Sequence, residues 1–247
     1  MNLGLEGRTA IVCGGSAGIG LGVAEALAAE GANLVLLARS PEPLEREASR
    51  LGALAVPGDV TVDEDLVRVV DTAVEAHGGV DILVNNSGGP PRTPTIGLTT
   101  EQIEDTVRLL LVSVVRLTGL CLPHLERSPA GRIVNITSST VKETTDNLAL
   151  SNAVRPAVIG WAKSLARELG PKGITVNSIA PGRIDTDRIR EVYPGGPSES
   201  DLQAIPLRRL GTPREIGDVV AFLCSDRASY VTGTVVAVDG GLVRGLL

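Results

Sequence analysis

The chain has 247 residues, 43% of them hydrophobic and 21% charged, which provides for a sizeable buried core. Aromatic residues make up only 2%, so that core must be aliphatic. A net charge of −6 without any Lys/Arg cluster argues against nucleic acid as the main partner, and three scattered cysteines without a CxxC pair argue against a disulfide framework or a metal site.

Short β-branched runs alternate with longer helical patterns. Residues 9–13 read as a strand, followed by glycines and a helix over 19–30 that Gly31 ends. Residues 33–38 are almost wholly apolar, as in a strand buried on both faces of a parallel sheet. A helix over 41–51, a strand over 53–60, a helix over 63–77 with acids at its start, and a strand over 81–85 complete the first half. The second half repeats the pattern: a long helix over 101–125, a strand over 132–137, a helix over 148–170, a strand over 174–179, a helix over 213–225 capped by Thr212, and a strand over 234–238. This alternation predicts an α/β fold, a Rossmann-type doubly wound seven-stranded parallel sheet between two helical layers. No linker or repeat interrupts it, so residues 1–247 are read as one domain. The Pro-, Gly- and Ser-rich stretch 183–205 breaks the alternation and is expected to be a mobile lid over a site, or else a plain surface loop.

The first strand–helix junction holds Gly14, Ser16, Ala17, Gly18, Ile19 and Gly20. Missing side chains at 14, 18 and 20 allow a tight turn and let a diphosphate approach the backbone, while the helix start offers free N–H groups to the phosphates. A bland Gly-rich turn is the alternative. No Lys-Ser or Lys-Thr pair follows, which excludes a P-loop. The second strand runs out into Arg39 and Ser40, where an acid would hold a ribose 2′-hydroxyl. Arg39 suits a 2′-phosphate instead, so NADP(H) is favoured over NAD(H), with a solvated arginine as the alternative.

With these residues the chain resembles the short-chain dehydrogenase/reductase family over essentially its whole length, nearest to the 3-oxoacyl-acyl-carrier-protein reductases. The markers are Gly14 to Gly20, Asp59-Val60, Asn85-Asn86-Ser87-Gly88, Asn135 to Ser138, Pro181 to Thr186 and Val238 to Gly241. The resemblance implies that Asp59 and Val60 contact the adenine and that Asn86, Ser87 and Gly88 line the cofactor wall. It places Pro181, Gly182, Ile184 and Thr186 around the nicotinamide. Cys13 stands where Thr is usual and Ser87 where Ala is usual, both similar in size.

That family moves a hydride between nicotinamide and a carbonyl or alcohol. A Tyr exchanges the proton, a Lys lowers its pKa and holds the nicotinamide ribose, a Ser polarises the substrate oxygen, and an Asn holds a relay water. Ser138 falls at the serine position, but Ser151 stands at the tyrosine position, Arg155 at the lysine position and Leu110 at the asparagine position. An alkyl hydroxyl is a poor general acid, and an arginine cannot shuttle a proton. At i, i+4 on one helix face, Ser151 and Arg155 can hold a water or an anionic substrate group. Tyr193 in the lid, Lys142 and Glu143 are candidate substitute groups, with solvated surface residues as the alternative for each.

Two functions follow. One is an NADP(H)-dependent oxidoreductase acting on a carbonyl or alcohol with an altered proton relay. The other is a dinucleotide-binding protein without turnover, a sensor or assembly partner. A homotetramer or homodimer is expected from the apolar breadth of helices 101–125 and 148–170, and Tyr230 is expected near a subunit contact. Cys13, Cys121 and Cys224 are read as reduced, buried thiols of a cytoplasmic protein, and His77 and His124 as solvated or packing residues rather than metal ligands. Residues 1–8 lack the pattern of a secretory leader, and no apolar run reaches the roughly 18 residues of a membrane span.

Overall fold

Ile11 and Cys13 point to one face of the first strand while Ala10 and Val12 point to the other, and all four are buried. Burial on both sides is what a near-continuous apolar strand in a parallel sheet requires. The computed structural model describes residues 2–193 and 195–246. Met1, Pro194 and Leu247 lie outside the described residues, and the readings over 1–8, 183–205 and 1–247 each include one or more of them.

The elements run β1 (Thr9–Cys13), α1 (Gly18–Ala29), β2 (Asn33–Ala38), α2 (Pro41–Leu51), β3 (Leu54–Pro57), α3 (Asp63–His77) and β4 (Ile82–Asn85). They continue with α4 (Thr100–Val107), α5 (Ser113–Leu125), β5 (Arg132–Ile136), α6 (Ala149–Leu169), β6 (Thr175–Pro181), α7 (Asp187–Val192), α8 (Glu199–Gln203), α9 (Pro213–Cys224) and β7 (Val235–Val238). The seven strands form one parallel sheet in the order β3-β2-β1-β4-β5-β6-β7. The expected doubly wound α/β fold is therefore present.

Two aliphatic cores flank the sheet, one beneath α1, α2 and α9, the other beneath α3, α5 and α6. Each fully buried Leu, Ile or Val contributes about 1.5–3 kcal/mol relative to exposure. Helices α1 and α9 approach so closely that a Cβ on Gly217 would stand 2.2 Å from the Gly22 carbonyl oxygen.

Chain order reverses between β1 and β4, which pair as Val12 with Val84. A crevice opens at such a switch point beyond the carboxyl ends of the strands.

Three elements differ from expectation. The third strand covers only Leu54–Pro57, because Asp59 turns the chain away by accepting from Thr61 N and Thr61 Oγ1, both at 2.8 Å. The long helix over 101–125 is divided by a π-helical turn at Arg108–Val112. Within 183–205 stand two short helices rather than a bare loop, α8 being held by a capping box between Ser198 and Asp201.

By length and composition alone, Thr100–Leu125 would pass for a membrane span. Part of its apolar surface is used inside the fold, with Leu117, Cys121 and Leu125 buried in the second core, while Ile103, Val112 and Val115 remain exposed.

Candidate active site

The loop from β1 into α1 forms one wall of the crevice. Gly14 adopts φ +68°, and a Cβ there would meet Asn86 Nδ2 at 2.5 Å. Gly20 lies against the same loop, where a Cβ would stand 2.1 Å from the Gly14 carbonyl oxygen. Asn86 Nδ2 donates to the Cys13 carbonyl at 3.1 Å and ties the end of β4 to the loop. Ala17 caps α1 without a side-chain hydrogen bond, and no acid occupies the first turn. The first N–H groups of α1 are thus left for an anion, in a cradle that side chains would otherwise fill.

The second wall comes from three elements. Ser138 follows β5 in extended conformation, and its Oγ accepts from Thr140 N at 3.2 Å. Thr140 Oγ1 lies 3.1 Å from Ser151 Oγ on α6, so Thr140 joins Ser138 through its backbone N–H and Ser151 through its hydroxyl. One turn along α6, Arg155 is 8% exposed, and its Nη1 donates to the Ile136 carbonyl at 3.3 Å. Burial, and then the nearby Arg188 guanidinium, push its pKa down to about 10, still far above neutrality. Leu110, in the π-helical turn, is buried.

Behind these walls Asn85 Nδ2 donates to Asn135 Oδ1 at 2.9 Å and to Thr118 Oγ1 at 3.2 Å, bracing β4 against β5 and α5.

A cleft of about 870 Å³ joins the two walls. It gathers Gly14, Ala17, Gly18, Ile19, Asn86, Ser87 and Gly88 with Ser138, Ser151 and Arg155. Pro181, Gly182, Ile184 and Thr186 close it from the end of β6. Ser16, Gly20, Arg39, Ser40, Asp59 and Val60 are not part of its lining. Gly20 is buried beneath the loop, Arg39 and Ser40 are exposed at the end of β2, and Val60 borders a small recess beside Cys13, Asn86 and Ser87.

Tyr193 already borders the cleft, under the Arg183 guanidinium at 5.7 Å from the ring centroid. Glu143 lines the cleft and its Oε2 accepts from Arg244 N at 3.3 Å, whereas Lys142 does not reach the lining. Tyr230 is fully exposed.

Sequence reasoning missed Thr140, Arg188 and the C-terminal Leu242 and Val243, all of which line the cleft. No motif marks them, since each arrives through tertiary packing. The three thiols are buried, and burial raises the pKa of each, to about 12 for Cys13 and Cys224, so none is a reactive thiolate.

Residues 14–243 match a family model described as enoyl-(acyl carrier protein) reductase. The chain is 37% identical to 3-oxoacyl-acyl-carrier-protein reductase FabG of Vibrio cholerae, over 97% of this chain and 99% of that one. It is 35% identical to 7alpha-hydroxysteroid dehydrogenase of Escherichia coli K12, over 99% and 98% of the two chains. The crystal structure of L-sorbose reductase from Gluconobacter frateurii, complexed with NADPH and L-sorbose, superposes with a TM-score of 0.93 at 33% identity, covering 100% of both chains.

Proposed function

Since the chain belongs to the short-chain dehydrogenase/reductase family, and with it to the oxidoreductases of CH–OH and C=O groups, we propose that it works with NADP(H) through an altered proton relay. One observation carries the cofactor reading: α1 begins uncapped, in a cradle that Gly14 and Gly20 keep clear of side chains. The solved relative with NADPH in its complex supports the same choice. The cofactor's nicotinamide supplies the hydride-transfer centre, and the protein supplies orientation and electrostatics around it.

In this reading residues 14–20, Ser16 among them, hold the diphosphate, with Gly14, Ala17, Gly18, Ile19 and Gly20 forming the cradle. Arg39 and Ser40 bind the 2′-phosphate, Asp59 and Val60 flank the adenine, and Asn86, Ser87 and Gly88 steady the wall. Pro181, Gly182, Ile184 and Thr186 enclose the nicotinamide, and Arg155 holds the adjoining ribose. Ser138 polarises the substrate oxygen. Ser151 contributes a hydrogen bond and no acidic proton, and buried Leu110 offers no relay water. The segment 183–205 acts as the lid. Ile103, Val112 and Val115, exposed along α4, the π-helical turn and α5, offer an apolar face for a homo-oligomer.

A second reading, cofactor binding without turnover, is favoured by the Ser151 hydroxyl being committed to Thr140. Fluorescence titration tests the cofactor assignment: NADPH is expected to bind more tightly than NADH. Arg39→Ala should erase that preference, at about tenfold in Kd for one charge-assisted phosphate contact. Failure to bind either nucleotide removes both readings.

A further inference from the structure

We propose that the substrate brings a carboxylate of its own, and that the cleft takes a 2-oxo acid seated with its carboxylate on Arg155 and its carbonyl oxygen toward Ser138. This deepens the oxidoreductase reading and rests on it.

Arg155 is a buried cation whose only hydrogen bond among the described residues is one 3.3 Å contact to the Ile136 carbonyl. A guanidinium carries five N–H donors, and the rest of Arg155 borders the cleft. No carboxylate among the described residues neutralises it. The charged group that acts on it is another cation, Arg188, which reaches across from α7 to the Pro90 carbonyl at 2.7 Å.

The acids that border the cleft do not supply the missing charge. Glu143, Asp146 and Asp187 are exposed, and Asp187 is paired with Arg190. Ser151, one turn before Arg155, stays neutral. The proposed ribose contact would satisfy donors without balancing charge, and the diphosphate belongs at the α1 end of the cleft. An unpaired buried charge is costly, so a ligand that delivers an anion to this spot gains what the fold leaves open.

The form of the anion follows from the donors. The guanidinium fork matches a planar carboxylate with two parallel hydrogen bonds. Ser138 lies two residues beyond Ile136, whose carbonyl holds Arg155, and both Ser138 and Arg155 line the cleft. A ligand with oxygens on adjacent carbons offers one acceptor to each of these two donors. A 2-oxo acid has this arrangement, and the short Ser151 side chain leaves the space beside it clear.

The test is calorimetric titration of the NADP⁺-saturated protein with 2-oxohexanoate, its methyl ester, 2-hexanone and hexanoate. The oxo acid is expected to bind about 10–100-fold more tightly than the ester or the ketone, the range for a hydrogen-bonded charged partner. It should also bind more tightly than hexanoate, which lacks the carbonyl. Arg155→Met should abolish the preference for acid over ester without lowering the thermal unfolding midpoint, and Arg188→Gln should reduce it less.

Equal binding of acid and ester, equal binding of hexanoate, no binding of the oxo acid, or a preference that survives Arg155→Met each overturns the proposal. Should Arg155→Met fail to fold, the comparison of the four ligands on the unaltered protein decides. A protein that binds NADPH but shows no preference for the acid retains the oxidoreductase reading and loses this one. A protein that fails to bind NADPH loses the cofactor reading, and the preference is then read on the free protein.

Discussion

The two ends of the cleft are built on different principles. The end formed by β1 and α1 is backbone and glycine, and it tolerates no addition, since a Cβ on Gly20 would stand 2.1 Å from a carbonyl oxygen. The other end is side chains from separate elements, Ser138 after β5, Thr140 on the following turn, and Ser151 and Arg155 on α6. Sterics govern the first and electrostatics the second. Substitution at the first end therefore destroys a shape, while substitution at the second rewrites a chemistry on an intact frame.

The widest separation between the ends should appear in the double variant Ser151→Tyr/Arg155→Lys. A phenol beside an ammonium restores a tunable proton donor, so NADPH oxidation with simple ketones should rise by about 10²–10⁴-fold while NADPH affinity changes little. Steady-state rates over a ketone panel check this, and an unchanged rate would show that proton supply is not what limits the reaction.

A smaller, opposite effect is expected at the glycine end. Gly20→Ala should cost about 2–3 kcal/mol in urea unfolding and weaken NADPH binding together, because the added carbon displaces the loop backbone itself. Full stability with full affinity in this variant would mean that the cradle is not shaped by close approach.

The smallest effect concerns α9, which packs on α1 behind the cradle. Hydrogen bonds from Arg209 first, and then from Thr212 N, lower the Glu215 carboxyl from its usual 4.5 to about 2. A carboxyl lowered on folding adds stability that is complete above about pH 4.5 and is lost as pH falls toward about 2. Glu215 is well exposed, so solvent screens much of this contribution. Melting curves of Glu215→Gln should lie slightly below those of the unaltered chain near pH 7 and converge with them in acid. A gap that persists well below pH 2 would assign the effect to packing.

The glycine end was legible in the sequence because it depends on residues adjacent in the chain. Gly14, Gly18 and Gly20 stand out by their spacing together with their place at the first strand–helix junction, and the tight contact at Gly20 agrees with it. The side-chain end was legible only in part. Ser138, Ser151 and Arg155 were found through their resemblance to a known pattern, but Thr140, which joins Ser138 by its backbone N–H to Ser151 by its hydroxyl, carries no signal until β5 and α6 pack together. Arg188 was hidden for a related reason: a stretch rich in Pro, Gly and Ser reads as loop, although the Ser198–Asp201 capping signal for α8 was present. The π-helical turn at Arg108–Val112 was invisible, because an apolar helical pattern does not reveal one extra residue in a turn.

Alternating runs of apolar strand and amphipathic helix, punctuated by glycines, were sufficient to determine the seven-stranded sheet and the glycine loop from which α1 starts. That information is local, carried by side-chain periodicity and by the conformational freedom of residues next to each other. Which hydroxyls touch, how deeply Arg155 is buried, and the absence among the described residues of a carboxylate to neutralise it were decided only by the tertiary structure. Those are relations between residues far apart in the chain, and charge in a low-dielectric cleft depends on everything that surrounds it.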